Sequence, residues 1–328
     1  MKAIVCREHG PAESLQLVND WDLPDCGPGE VRVAVKAAGL NFPDLLMIQG
    51  KYQTQPDMPF VPGAECAGVV RAVGEGVTRY KVGDKVIAAS THGAFAAERV
   101  VNEAEVYPMP EALSFVQAAG ISLTYFTSYH ALKQRADLKA GETLLVLGAA
   151  GGVGATAVEI GKMLGAHVIA AASSDEKLAL CRELGADEVI NYSEVDLKST
   201  LKEMTGGRGV DVVYDPVGGD YSEAALRNMA WNGRFLVIGF ASGPIPKIPL
   251  NLALLKGCSI VGVFYGRFSG EEPERNLRNV EELWQLFAEG KLNPVVTDVF
   301  PFEQYVDAFN CLAERRARGK VILDLEQD

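Results

Sequence analysis

The sequence predicts an α/β fold: a doubly wound parallel sheet joined to an N-terminal, partly open antiparallel β-barrel. Three observations carry this. The stretch Thr143 to Ser174, TLLVLGAAGGVGATAVEIGKMLGAHVIAAASS, runs from an apolar, β-prone segment through a glycine turn into a helical pattern and on to a second apolar run. Strand and helix patterns then keep alternating, the rhythm of βα units. Before about residue 110 the chain is instead rich in glycine, proline and valine, with short alternating runs.

Taken in order, VRVAVKAAG (31–39), AGVVRAVGEGV (67–77) and DKVIAAS (84–90) read as barrel strands. Turn signals at Cys26-Gly27-Pro28-Gly29 and Val82-Gly83-Asp84 separate them. From Ser114 to Ala131 the pattern is helical. Strands are expected at 143–147, 167–172, Glu188–Ile190, 210–214 and 234–238, with helices between. LKGCSIVGVFYG (255–266) reads as one more strand, followed by a helix from Asn279 to Glu289. The tail from Val299 reads as loop, helix, strand, and its last strand is expected to return to the first domain. The predicted division is 1–122 with 267–328 as the barrel domain and 123–266 as the nucleotide-binding domain.

The glycine turn points to a dinucleotide. Gly151 lacks a Cβ and lets the backbone approach a pyrophosphate. A helix starting near Gly152 turns unpaired N–H groups and a positive dipole end toward phosphates. Gly154 permits close packing of helix on strand. Ala150, Gly151, Gly152, Val153 and Gly154 are therefore expected cofactor contacts. The first glycine of the usual fingerprint is replaced by Ala149, with Gly148 just before it. A packing turn that binds nothing is the plain alternative. The position about twenty residues on, where an NAD site carries a carboxylate for the ribose 2′-OH, holds Ser173 and Ser174. Lys177, a helical turn further, suits a 2′-phosphate, which favours NADP(H). Ser173 capping the next helix, with Glu176 completing a capping box, is a structural alternative compatible with this. Asp175 and Glu176 also lie within reach of a ribose.

Composition narrows the class. The chain has 328 residues and a formal charge of −12, which argues against a nucleic-acid partner. The basic group Arg315, Arg316, Arg318 and Lys320 is short and reads as a solvated helix end. No apolar run is long enough to span a membrane, and MKAIVCREHG lacks the apolar core of a signal peptide. The six cysteines are scattered without a C-x-x-C pair, as in reduced, cytoplasmic enzymes.

The glycine loop, together with LTYFTSYHALKQRADLKAGE, GADEVINY, GVDVVYDPVGG, RFLVIGFASG, GKVILDL and the N-terminal AAGLNFPDLLMIQGKYQTQPDMPFVPGAECAGVV, resembles the quinone oxidoreductase (zeta-crystallin-like) branch of the medium-chain dehydrogenase/reductase superfamily. The resemblance spans nearly the whole chain. It implies a Rossmann-type nucleotide domain and a GroES-like barrel. Zinc-dependent alcohol dehydrogenases of similar layout carry ligands where this chain has Asn41, Ala64 (next to Glu65) and near Gly120, and a four-cysteine lobe where this chain has no cysteine between Lys85 and Tyr107. Catalytic zinc needs three protein ligands, so a metal-free enzyme is expected. His9, His92, His130 and His167 have no paired spacing, and His130 and His167 read as structural. Without a Lewis acid the substrate should accept hydride readily, as a quinone or a conjugated enone does.

The resemblance also implies site residues. Asn41 and Tyr52 are the candidate catalytic groups. Asn41 would bond the cofactor ribose or the substrate carbonyl, and Tyr52 would donate to a substrate oxygen. Both, with Thr124 beside Tyr125, Tyr192, Phe240, Val263, Phe264, Tyr265 and Lys320, match positions near the cofactor. The structural alternatives are a turn role for Asn41, a packing lid for Tyr52, core packing for Phe264 and a solvated charge for Lys320. A homodimer is expected through the apolar run Cys258 to Gly262. Three function classes remain: an NADPH-dependent quinone reductase, an NADPH-dependent reductase of α,β-unsaturated carbonyls, and a weakly catalytic nucleotide-binding protein.

Overall fold

The computed structural model describes residues 1–326, and the chain divides into two units, Met1–Leu123 with the residues from Pro294 on, and Thr124–Asn293.

The first unit is built on a seven-stranded sheet. Its order is Val296–Pro301, Lys320–Asp324, Glu30–Leu40, Glu65–Val73, Lys85–Ala89 and Val106–Pro108, with Glu98–Asn102 also paired to Glu30–Leu40. Only the first pair is parallel. A separate antiparallel pair joins Ala3–Val5 to Gln16–Val18. Val31, Val33 and Val35 alternate inward from the longest strand and share a core with Phe95 and Phe309, whose rings meet edge to face at 5.8 Å. The register decides where chemistry can gather. Leu40 stands opposite Val321, Gly39 opposite Glu65, and Glu65 opposite Ala89. One end of the sheet therefore carries Leu40, Asn41, Glu65, Ser90 and Lys320 together. Gly39 makes this possible, because a Cβ there would lie 2.3 Å from the Ala119 carbonyl oxygen.

The second unit is a six-stranded, all-parallel sheet in the order Glu188–Asn191, His167–Ala172, Thr143–Leu147, Val210–Asp215, Met229–Val237, Ser259–Gly262. Apolar runs such as Leu144–Leu147 are wholly buried, as strands covered on both faces require. The helix Tyr125–Tyr129 packs on Gly152–Met163, and Ser128 Oγ ties Thr156 Oγ1 and Tyr214 OH, each at 2.8 Å.

Several sequence expectations need correction. The helices Tyr265–Glu271 and Pro273–Ala288 belong to the second unit, not to the barrel domain, so the division falls at Pro294 rather than at 267. Aromatic packing and a bond hold them there: Phe126 with Trp284 at 5.7 Å, Tyr125 with Phe287 at 5.0 Å, and Gln134 Nε2 donating to Asn279 Oδ1 at 2.8 Å. The run 255–266 is not one strand. A helix Asn251–Lys256 ends at Gly257 with φ 58°, and only Ser259–Gly262 is extended. Pro273 opens the following helix six positions before the expected start, in the first-turn place that proline favours. Ser114–Ala131 resolves into two short helices, Phe115–Ala118 and Tyr125–Tyr129, the second widening into a π turn over His130–Arg135. Val299–Pro301, expected as the start of a loop, ends a strand Val296–Pro301 beside Lys320–Asp324. The last strand does join the first unit, antiparallel to Glu30–Leu40.

Candidate active site

In the second unit the expected cofactor residues follow the carboxyl ends of the parallel strands. Gly148 to Gly154 follow Leu147, Ser173 and Ser174 follow Ala172, Tyr192 follows Asn191, Phe240 lies past Val237, and Val263 to Tyr265 follow Gly262. That is the edge at which open α/β sheets bind ligands. The glycines have separable causes. Gly148 adopts φ 58°, so it makes the tight turn that the displaced fingerprint left in question. A Cβ on Gly154 would stand 2.2 Å from Gly148 O, so helix packing demands a glycine there. Gly151 has an ordinary φ of −80°, and a Cβ there would touch only Gly148 O at 3.4 Å. Neither backbone strain nor packing accounts for Gly151. A phosphate brought close to the chain would account for it, and the N-terminus of the helix Gly152–Met163 has amides to offer one. The residues present therefore fit a dinucleotide.

The acceptor end differs in one detail from expectation. Ser174, not Ser173, caps the helix Asp175–Glu183, its Oγ accepting from Lys177 N at 3.4 Å, and Glu176 closes no capping box. Ser173 is thus left to the strand end, where Lys177 Nζ donates to its Oγ at 3.3 Å. An ammonium and two hydroxyls sit together where a carboxylate would select NAD. Tyr192 leans on Tyr221 with ring centres 4.3 Å apart. Thr124 is buried, its carbonyl accepting from Ser128 N at 3.0 Å. Phe240 packs over Gly218, whose φ of 73° and near contact leave no room for a side chain. Tyr265 bonds Asn276 Oδ1 at 3.0 Å, whereas Phe264 is 57% exposed and is not core.

In the first unit Asn41, Glu65 and Lys320 converge. Lys320 is buried rather than solvated, and it is the first residue of the last strand, Lys320–Asp324. The cause is a full set of acceptors. Its ammonium donates to Leu40 O at 2.7 Å and Asn41 Oδ1 at 2.5 Å, and pairs with Glu65 Oε1 at 2.6 Å. Its stem lies over Gly120, where a Cβ would meet Lys320 Cγ at 2.6 Å. Glu65, fully buried, also accepts from Asn41 Nδ2 at 2.9 Å, Ser122 Oγ at 2.5 Å and Leu123 N at 3.0 Å. A second Asn41 amide hydrogen points to Gly39 O at 3.3 Å. Both donors of the Asn41 side chain are therefore occupied, and its Oδ1 faces both the Lys320 ammonium and the Asp44 N–H of the helix-capping box. That argues against donation to a substrate carbonyl.

Asn41 also precedes the helix Phe42–Ile48, and its backbone N–H donates to Asp44 Oδ2 at 2.8 Å. The Asp44 carboxyl is wholly buried, and desolvation pushes its pKa up to about 7 against the opposing pull of the Asn41 N–H and Lys320. Tyr52 lies in the bend after this helix and is half-buried against the barrel core. Burial, and then the Asp44 charge, raise its phenol above the usual value, so the hydroxyl stays protonated near neutrality. Glu65, Ser122 and Asp44 were not singled out from the sequence. Asp44 had a signal, since an acid three residues after Asn41 at a helix start is a capping pattern; Ser122 had none. Among the described residues no three His, Cys, Asp or Glu side chains come together as a metal site, and no helix is long and apolar enough to cross a membrane.

Two family patterns match: Alcohol dehydrogenase GroES-like domain over residues 27–111, and Zinc-binding dehydrogenase over 152–283. The Quinone oxidoreductase-like protein 2 homolog of Nematostella vectensis is 38% identical, over 99% of this chain and 89% of its own length. The Escherichia coli quinone oxidoreductase complexed with NADPH superposes with a TM-score of 0.92 at 32% identity, covering 99% of this chain and 100% of that one. The CurK enoyl reductase superposes with a TM-score of 0.89 at 29% identity, covering 98% of each chain. With these likenesses over the full length, the chain belongs to the zeta-crystallin-like quinone oxidoreductase branch of the medium-chain dehydrogenase/reductase superfamily, a family of oxidoreductases.

Proposed function

We propose that this oxidoreductase uses NADPH to reduce quinones, without a metal. When bound, NADPH supplies the hydride. The observation that carries the cofactor choice is the Ser173, Ser174 and Lys177 group at the end of the His167–Ala172 strand, which suits a 2′-phosphate and has hydroxyls where an NAD site carries its strand-end carboxylate. The NADPH in the E. coli relative supports it. The pyrophosphate is held by the amides of 150–154. Thr124, Tyr192, Phe240 and Val263 to Tyr265 line the remainder of the cofactor. Asn41 stands at the nicotinamide ribose, with its Oδ1 shared between Lys320, the Asp44 N–H and a ribose hydroxyl. Lys320 and Glu65 act behind Asn41, fixing which way its amide faces. Tyr52 donates its phenol proton's hydrogen bond to the substrate oxygen as negative charge grows there.

Reduction of α,β-unsaturated carbonyls is the second reading, favoured by the likeness to an enoyl reductase. NADPH oxidation against a panel of quinones and enones separates the two. Turnover with quinones ten times faster than with enones supports the first, the reverse supports the second, and no turnover with either leaves a nucleotide-binding role. A homodimer through the Ser259–Gly262 strand belongs to the same proposal.

A further inference from the structure

We propose that Arg99 is a positioning residue for the substrate: its buried guanidinium clamps the Ser90–Gly93 loop from beneath, and that loop is a wall of the substrate site that sets specificity. This rests on the function proposed above. Arg99 is 2% exposed, on the Glu98–Asn102 strand. Its Nη2 donates to Ser90 Oγ at 2.5 Å and to His92 O at 2.9 Å. Its Nη1 donates to Ala88 O at 3.4 Å and lies 3.7 Å from Cys66 Sγ. Among the described residues no carboxylate pairs with it, and its Nε has no partner. Burying a guanidinium whose direct acceptors are all neutral, with only the Glu105 charge acting on it from beyond ion-pair distance, is costly, and an apolar side chain of like length would fill the space at less cost. Direct ion pairing therefore gives no reason for the charge. What the charge does is hold residues 88, 90 and 92 in one turn.

The turn stands at the site. Ser90 N donates to Ala64 O at 2.9 Å and Gly93 N to Val61 O at 2.8 Å, so the loop is laced to the segment that delivers Glu65. The register Gly39–Glu65–Ala89 places it at the same sheet end as Asn41 and Lys320. It presents exposed Thr91 and His92, joined Oγ1 to Nδ1 at 2.9 Å, and His92 is steadied edge-on by Phe60 at 6.2 Å. Neither side chain has a task in the barrel core. A flat conjugated carbonyl compound carrying substituents of different bulk is the ligand class such a wall sorts.

The test uses the full chain, saturating NADPH, and one small and one bulky quinone. Arg99→Met is expected to fold, to raise quinone KM roughly tenfold, the scale on which a changed pocket contact discriminates substrates. It should change the small-to-bulky preference, while the NADPH Kd stays within about twofold. Arg99→Lys, which keeps the charge but loses the fork, should recover part of the KM. Unchanged KM and preference in folded Arg99→Met overturn the proposal, as does a KM rise matched by an equal rise in NADPH Kd. If Arg99→Met fails to fold, Ser90→Ala decides: a raised quinone KM supports the clamp and an unmoved one overturns it. A parent with no quinone- or enone-dependent NADPH oxidation overturns the function and this inference together, whereas an active parent with an unmoved KM overturns the inference alone.

Discussion

Lys320 shows how a residue's role depends on neighbours distant in sequence. Among arginines near a C-terminus it reads as a solvated charge, yet its three ammonium hydrogens meet Leu40 O, Asn41 Oδ1 and Glu65 Oε1. Nothing local announces this, because the acceptors lie some 255 to 280 positions away and only the barrel register brings them in. Removing one partner of a buried pair leaves the other charge without compensation, which costs about 3–5 kcal/mol. Lys320→Met should therefore lower the urea midpoint strongly, and Lys320→Met with Glu65→Gln should recover part of the loss; a single variant as stable as the parent would refute the pairing. Tyr52 allows a cleaner functional test. If its hydroxyl bonds the substrate oxygen more strongly in the transition state, Tyr52→Phe loses about 1–3 kcal/mol, roughly 5- to 150-fold in kcat/KM, with NADPH affinity unmoved. A rate within about twofold of the parent means that the ring only packs, and Tyr52→Ala is then the damaging change. Asp44 gives a pH signature. Its folded carboxyl titrates near about 7, above the roughly 3.9 of an unfolded chain, so the folded state binds the proton more tightly. The stability this contributes is complete below about pH 4 and is lost as pH rises through 7. Asp44→Asn should flatten that part of the pH–stability curve relative to the parent, measured by denaturant midpoints from pH 4 to 8, and an unchanged slope would exclude Asp44 as its source.

At the scale of elements, legibility followed burial pattern. The strands Thr143–Leu147 and His167–Ala172 fall where the apolar runs put them, since strands buried on both faces need continuous hydrophobic sequence. The segment around 251–266 did not read correctly, because Leu252, Leu254 and Leu255 continue the apolar run of the strand while Gly257 breaks the chain between them. Likewise Val296–Pro301 alternates too weakly to mark a strand, and its partner comes only from pairing with Lys320–Asp324. The helix Asp175–Glu183 was legible except for its cap, which moved one residue to Ser174. That shift matters for the cofactor. It fixes Lys177 at the third helical position with its ammonium back over Ser173. NADPH should bind at least about tenfold tighter than NADH, the effect of one or two charge-assisted hydrogen bonds. Lys177→Ala should narrow the gap without moving NADH affinity. Equal affinities in a fluorescence titration of the parent would refute the assignment.

For the whole molecule, the question is what covers the last strand of the parallel sheet. Ser259–Gly262 pairs on one side with Met229–Val237 and is the sheet's edge, with Ile260 40% exposed. The preceding helix turns only Leu252 inward and leaves Leu254 80% and Leu255 69% exposed, with Leu250 at 78% just before it. Scattered exposed leucines need no explanation, but these lie beside an open strand edge, the combination that invites pairing with another chain. A twofold axis lets the edge strand meet its own copy, so one patch serves both partners and the assembly closes at two. The expected result is a light-scattering mass near twice that of the chain, falling toward one chain on dilution. A charge at the edge should shift that equilibrium without touching the nucleotide end of the sheet. Ile260→Lys, alone or with Leu254→Glu, is therefore expected to give monomers that still bind NADPH. A parent whose mass is that of a single chain at every concentration would show that the edge is left open, and variants that stay dimeric would place the contact elsewhere.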